Sequence, residues 1–145
     1  MVSEMGGHRY LNRYSPEWRE FRYFRPEEFA CPCCGRVYVL ERLVRLLDLV
    51  REAWGAPIRV ESGYRCPDYN RRIRGAPNSA HVIGAAADIW PKLQGPLGHC
   101  RAKFLSLLQL RGFRRFGLWH DFGFHVDLGD LVDPHTYIAP SIWIY

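Results

Sequence analysis

Two short stretches of this 145-residue chain hold side chains suited to metal and proton chemistry. "NSAHVIGAAADIW", Asn78 to Trp90, sets His81 and Asp88 seven residues apart around a spacer of small and apolar residues. "FGFHVDL", Phe122 to Leu128, adds His125 and Asp127. Imidazole and carboxylate are ordinary zinc ligands, and a catalytic zinc site takes three protein ligands and leaves a fourth position to water. His81, Asp88 and His125 supply that set without a cysteine. A histidine beside an aspartate is by itself more often a surface or capping pair, so the neighbouring elements have to decide. Gly84 and Ala85 to Ala87 let the backbone turn and pack closely behind the ligands, so that His81 and Asp88 converge.

The elements that must position these groups follow from periodicity. "VLERLVRLLDLVREAWG", Val39 to Gly55, carries Leu40, Leu43, Leu47, Val50 and Trp54 at helical spacing, with Gly55 as its stop. "PIRVESGYR", Pro57 to Arg65, reads as a strand running into a turn. "CPDYNRRIRG", Cys66 to Gly75, suits a short helix with Pro67 at its start. "GAAADIW" suits a buried strand, and "PLGHCRAKFLSLLQLRG", Pro96 to Gly112, a second long helix. "RRFGLW" and "FGFHVDL" read as two strands joined through His120 and Asp121. Alternation in the second puts Phe124 and Val126 on one face, His125 and Asp127 on the other. Residues 1 to about 30 show no clear periodicity, and the division predicted is an arm over 1–26 packed on a domain over 27–145. The apolar, aromatic C-terminus, "DPHTYIAPSIWIY", is expected to pack back on the body. The order of elements predicts one small α+β domain with a central antiparallel sheet and flanking helices.

Composition bounds the function. With 48% hydrophobic residues the chain can bury a core, and no apolar run approaches the ~20 residues of a membrane span. The polar, basic N-terminus has no Sec-type signal, so the expectation is a protein held in the cytoplasm until release. A formal charge of +5 favours anionic surfaces, either nucleic acid or an acidic cell wall. The arginines are spread along the chain with no aromatic–basic motif, which weighs against nucleic acid. The five cysteines, Cys31, Cys33, Cys34, Cys66 and Cys100, are odd in number, which argues against a fully paired disulfide scaffold. "CPCCG" resembles half of a zinc knuckle; a disulfide, a small structural metal site and plain buried thiols all stay open.

"SGYR" (Ser62 to Arg65), Asn70, "GAPNSAH" (Gly75 to His81), "GAAAD" (Gly84 to Asp88) and "FHVD" (Phe124 to Asp127) follow one another in one order within one domain. This set resembles the zinc D-Ala-D-Ala carboxypeptidase family, within the wider group of lysostaphin-type enzymes and the Hedgehog signalling domain. It is most similar to the compact branch of bacteria and phage lysis proteins. The family pattern Ser-x-His-x-x-Gly-x-Ala-x-Asp is met by Ser79, His81, Gly84, Ala86 and Asp88, and the likeness runs over roughly residues 27 to 130. The resemblance implies a Hedgehog-like peptidase fold and Zn2+ held by His81, Asp88 and His125. It also implies Arg65 beside the metal, gripping a substrate carboxylate or stabilising an oxyanion. Ser79 would orient a ligand or bind substrate, or else cap the turn before His81.

One position departs from the family. Several branches carry an acid three residues before the last histidine, where this chain has Phe122. Asp121 shares a face with His125 in a regular strand unless a bulge at Gly123 shifts the phase. Asp127 could be the base or the partner that fixes the imidazole. His120 is a third candidate, as acid or oxyanion donor. The function implied is a zinc metallopeptidase cutting peptidoglycan peptides at the cell wall, as a D,D-carboxypeptidase or an endolysin-type endopeptidase. A phage-encoded protein released at lysis fits that picture, and a monomer is expected. The rival is a zinc-containing wall-binding or phage structural module without catalysis.

Overall fold

The computed structural model describes residues 2–5 and 7–145. Twelve elements carry the architecture among them: β1 (Val2–Met5), β2 (His8–Leu11), β3 (Val39–Leu40), α1 (Glu41–Trp54), β4 (Ile58–Ser62), α2 (Pro67–Arg72), β5 (Ala86–Pro91), α3 (Leu97–Leu110), β6 (Arg115–Leu118), β7 (Phe124–Asp127), α4 (Gly129–Val132) and β8 (Ser141–Ile144). A five-stranded sheet in the order β4-β5-β7-β6-β8 forms the body, and a three-stranded sheet β1-β2-β3 joins it. The result is the α+β domain that the order of elements implies.

The helix over 41–54 is amphipathic as its sequence demands. Leu43, Val44, Leu47, Val50 and Trp54 are buried, and Gly55 ends the helix in the left-handed region at φ 79°, its N–H donating to the Arg51 carbonyl. In α3 a narrower stripe, Cys100, Phe104 and Leu108, is buried. The sheet supplies the matching surface through Ala87, Ile89, Phe116, Phe124 and Val126, all in the same core cluster as the two helices. Each fully buried Leu, Ile, Val or Phe among them contributes roughly 1.5–3 kcal/mol from area removed from water.

Two terminal segments do more than the sequence suggests. The N-terminal arm, without visible periodicity, pairs His8–Leu11 with Val39–Leu40 in antiparallel register and sends Trp18, Phe21 and Phe24 into the main core. Its strand is short and its partner lies some thirty residues away, so no local alternation could announce it. The C-terminal segment packs back as expected, as strand β8. It runs parallel to β6, with Phe116 opposite Ile142 and Gly117 opposite Trp143, so the sheet is antiparallel except at this edge. The connection through β7, α4 and residues 133–140 is long enough to permit that parallel return.

Candidate metal centre

Sheet register builds the floor of the site. Asp88 on β5 pairs with Ser62 on β4 and with His125 on β7. His125 pairs in turn with Gly117 on β6, and Gly117 with Trp143 on β8. Ser62, Asp88, His125, Gly117 and Trp143 therefore form one row across all five strands, on the face away from the helices. Directly opposed residues hold their Cβ atoms ~5 Å apart, which sets the spacing of the polar groups before any side chain chooses a rotamer. His81 comes from the turn before β5. Gly84 closes that turn at φ 70°, and a Cβ there would collide with the Tyr38 carbonyl. Behind it Ala85, Ala86 and Ala87 are fully buried, which is the close packing that the small spacer implies.

The three side chains meet. His81 Nε2 lies 3.1 Å and His125 Nδ1 2.9 Å from the same oxygen, Asp88 Oδ1. One donor atom from each of the three residues lies within 4.8 Å of the others, and all three residues are buried. The far nitrogen of each ring is already committed. His81 Nδ1 donates to the Gly63 carbonyl at 2.7 Å, and His125 Nε2 to Asp127 Oδ2 at 2.7 Å. In neutral rings these bonds fix the tautomers so that both inner nitrogens present lone pairs to a carboxylate oxygen. Three acceptors so close require a proton or a cation between them.

Without a cation, protons take that role. Burial works to raise the Asp88 carboxyl, but hydrogen bonds from His125 and His81 outweigh it and hold the group well below its usual range. Burial also pulls on His125, where Asp127 and Asp88 overcome it and raise the imidazole. At His81 burial prevails and lowers it, against the attraction of Asp88. A divalent cation can replace those protons, and the donor set is of the two-imidazole, one-carboxylate kind. The fit is one of donor chemistry, buried geometry and oriented rings together.

The surrounding residues divide into those that join the site and those that do not. Arg65 places Nη2 3.2 Å from Asp88 Oδ2, the oxygen the histidines do not use, and donates through Nε to Ser62 and through Nη1 to Asn70. Ser79 accepts from the His81 N–H at 3.2 Å, which caps the turn, and also borders the site. Asp127 is wholly buried, with Oδ1 accepting from Arg115 Nε and the Gly129 N–H while Oδ2 holds His125. Asp121 is exposed, and its carboxylate accepts from the Trp90 indole and the Gly123 N–H. The strand begins only at Phe124, so the alternation that would carry Asp121 to the face of His125 does not extend to it.

A cavity of about 320 Å³ opens over the three residues, walled by Arg65, Arg74, Trp119 and Tyr145. Neither Asp121 nor His120 lines it, while Asp127 lines the neighbouring cavity beside Trp143 and Arg115. Trp119 stacks on Tyr145 with ring centroids 4.1 Å apart. The aromatic wall and Arg115, which sits 5.5 Å from the Trp143 ring, were not singled out from the sequence. The period-two spacing of Ser141, Trp143 and Tyr145 is the signal that could have found the wall.

A family model described as Peptidase M15 matches residues 22–127, which include His81, Asp88, His125, Arg65 and Asp127. A protein of Sinorhizobium fredii (strain NBRC 101917 / NGR234), described as "Uncharacterized protein y4aQ", is 29% identical over 109 residues, covering 74% of this chain. The chain matches 57% of that relative's length. With the match spanning most of the sequence and every converging side chain of the site inside it, the chain belongs to the peptidase M15 family.

Proposed function

We propose that the chain is a zinc-dependent peptidase that hydrolyses peptidoglycan peptides, of D,D-carboxypeptidase or endopeptidase type. One observation carries the reading: two buried imidazoles, each locked through its far nitrogen, turn their lone pairs onto one carboxylate oxygen beneath an open cavity. His81, Asp88 and His125 would hold the zinc, which supplies Lewis acidity toward a scissile carbonyl and lowers the pKa of a bound water to ~7.

The chain's own groups do the rest. Arg65 has five N–H donors, three of them engaged by Ser62, Asn70 and Asp88, and the remaining edge is available to a substrate carboxylate or developing oxyanion. Asp127 is a positioning residue, since both its oxygens are used in holding His125, Arg115 and the Gly129 amide. The hairpin that carries Asp121 supplies Trp119 to the cavity wall. Trp119 and Tyr145 give the cavity an apolar side against which a peptide can lie. Among the described residues no helix is long and apolar enough to cross a membrane, and a basic chain would dwell on an acidic wall.

The test is amino-group release from purified peptidoglycan. The expected result is release by the wild-type protein that a chelator stops and added zinc restores, with His81→Ala inactive throughout. Release indifferent to the chelator, or none under any zinc condition, would contradict the proposal.

A further inference from the structure

A second group of metal-binding side chains lies apart from the histidine site. Cys31 and Cys34 occupy the "CPCCG" loop, and Cys66 stands at the start of α2. Their three sulfurs lie within 4.8 Å of one another, and Cys31 and Cys66 are buried. All five cysteines are free thiols.

The loop has the form of a knuckle that presents sulfur. The Cys31 N–H donates to the Arg36 carbonyl at 2.8 Å, and the Gly35 N–H to the Cys31 carbonyl at 2.8 Å. Gly35, directly after Cys34, takes φ 73°, which lets the chain reverse there. Two of the sulfurs also receive backbone N–H groups: Cys31 Sγ from Cys66 and Cys66 Sγ from Tyr69, both at 3.4 Å. The ligating form of a cysteine is its thiolate. A tetrahedral zinc–thiolate site with Zn–S bonds of ~2.3 Å has sulfur–sulfur edges of ~3.8 Å, so three sulfurs within 4.8 Å need only a small contraction. A fourth sulfur, that of Cys33, stands 3.9 Å from that of Cys66 and accepts from Arg72 Nη2 at 2.6 Å.

We propose that Cys31, Cys34 and Cys66 bind a second, structural zinc ion. The spacing of two cysteines by two residues in a turn, joined by a third from a distant helix start, is that of structural zinc sites. Its place in the fold gives it a task. Cys66 follows Arg65 directly, and Tyr64 donates its N–H to the Phe29 carbonyl two residues before Cys31. The ion therefore ties the segment before α1 to the turn that carries Arg65 into the histidine site. The inference does not depend on the chain being a peptidase.

The test is metal content and cobalt spectroscopy on the full chain, purified under reducing conditions. About two zinc ions per chain are expected in the wild type, and about one in each of His81→Ala and the double variant C31S/C34S. Cobalt-substituted wild-type protein should show an intense thiolate-to-cobalt charge-transfer band in the near ultraviolet, retained in His81→Ala and lost in C31S/C34S. The wild-type spectrum needs no variant to fold. Cobalt-loaded wild type without that band would overturn the proposal. So would the loss of two titratable thiols to a disulfide in the native, air-handled protein. A wild type with about one ion, a thiolate band and full retention in His81→Ala would support this site while contradicting the histidine one.

Discussion

The two clusters of ligand-type side chains are built on different foundations. His81, Asp88 and His125 sit on or beside a sheet, where pairing across five strands spaces Asp88 and His125 and a neighbouring carbonyl and carboxylate orient the rings. Cys31, Cys34 and Cys66 sit on a loop and a helix start, held by a few backbone N–H bonds and a small buried cluster in which Tyr64 lies with Cys31 and Cys66. A group of ligand-type side chains can be organised by the fold alone, or by an ion that it binds. The sheet-borne site has its geometry fixed by folding, which suits catalysis. The loop-borne site leaves the ion to fix geometry, which suits a structural tie.

Breaking the first site should cost most in function and little in fold. Asp88→Ala removes the oxygen on which both imidazoles converge, and peptide hydrolysis should fall by at least about a thousandfold. Circular dichroism should stay native; an unfolded variant would show that Asp88 is chiefly structural. Asp127→Asn leaves His125 on its strand but weakens the acceptor that orients it. Zinc affinity should drop ~10–100-fold, read by competition with a chromogenic chelator. An unchanged affinity would mean that the strand alone aims the ring.

Core truncation should behave oppositely. Leu47→Ala on α1 empties a fully buried position and should lower stability by about 2–5 kcal/mol in urea unfolding, with zinc content unchanged. Metal loss with Leu47→Ala would deny the independence of core and site. The smallest effect concerns pH. In chelator-treated protein the Asp88 and Asp127 carboxyls titrate below their ordinary 3.8, so their contribution is present above that value and is lost as pH falls further. His81, lowered from 6.5, destabilises the fold as pH drops below that value. His125, raised, stabilises it there and loses that contribution as pH rises through its folded value. The two imidazoles thus oppose each other near neutrality. Thermal melts should change little there and fall steeply on the acid side, with a shallower fall in Asp127→Asn.

Much of the histidine site is legible in the chain because it is written in local periods. Alternation in "FHVD" separates Phe124 and Val126 from His125 and Asp127, and the structure keeps that division. The small spacer from Gly84 to Ala87 announces tight packing behind His81 and Asp88. What escapes is set by distant partners. Cys66 gains its meaning from Cys31 and Cys34, which lie more than thirty residues away. The strand His8–Leu11 exists through Val39–Leu40, and β8 through its parallel neighbour β6. Asp121 shows the limit of alternation itself. The offset of four places it beside His125 only within a strand, and the chain between Trp119 and Gly123 is a hairpin turn.

Zinc titration into metal-stripped wild-type protein, followed by hydrolysis of peptidoglycan stem peptides, asks whether the histidine cluster is a catalytic metal centre. No hydrolysis is expected before zinc is added and full hydrolysis once the histidine site is filled, with His125→Ala silent at every zinc level. Hydrolysis by the stripped protein, or an His125→Ala variant as active as the wild type, would contradict that role.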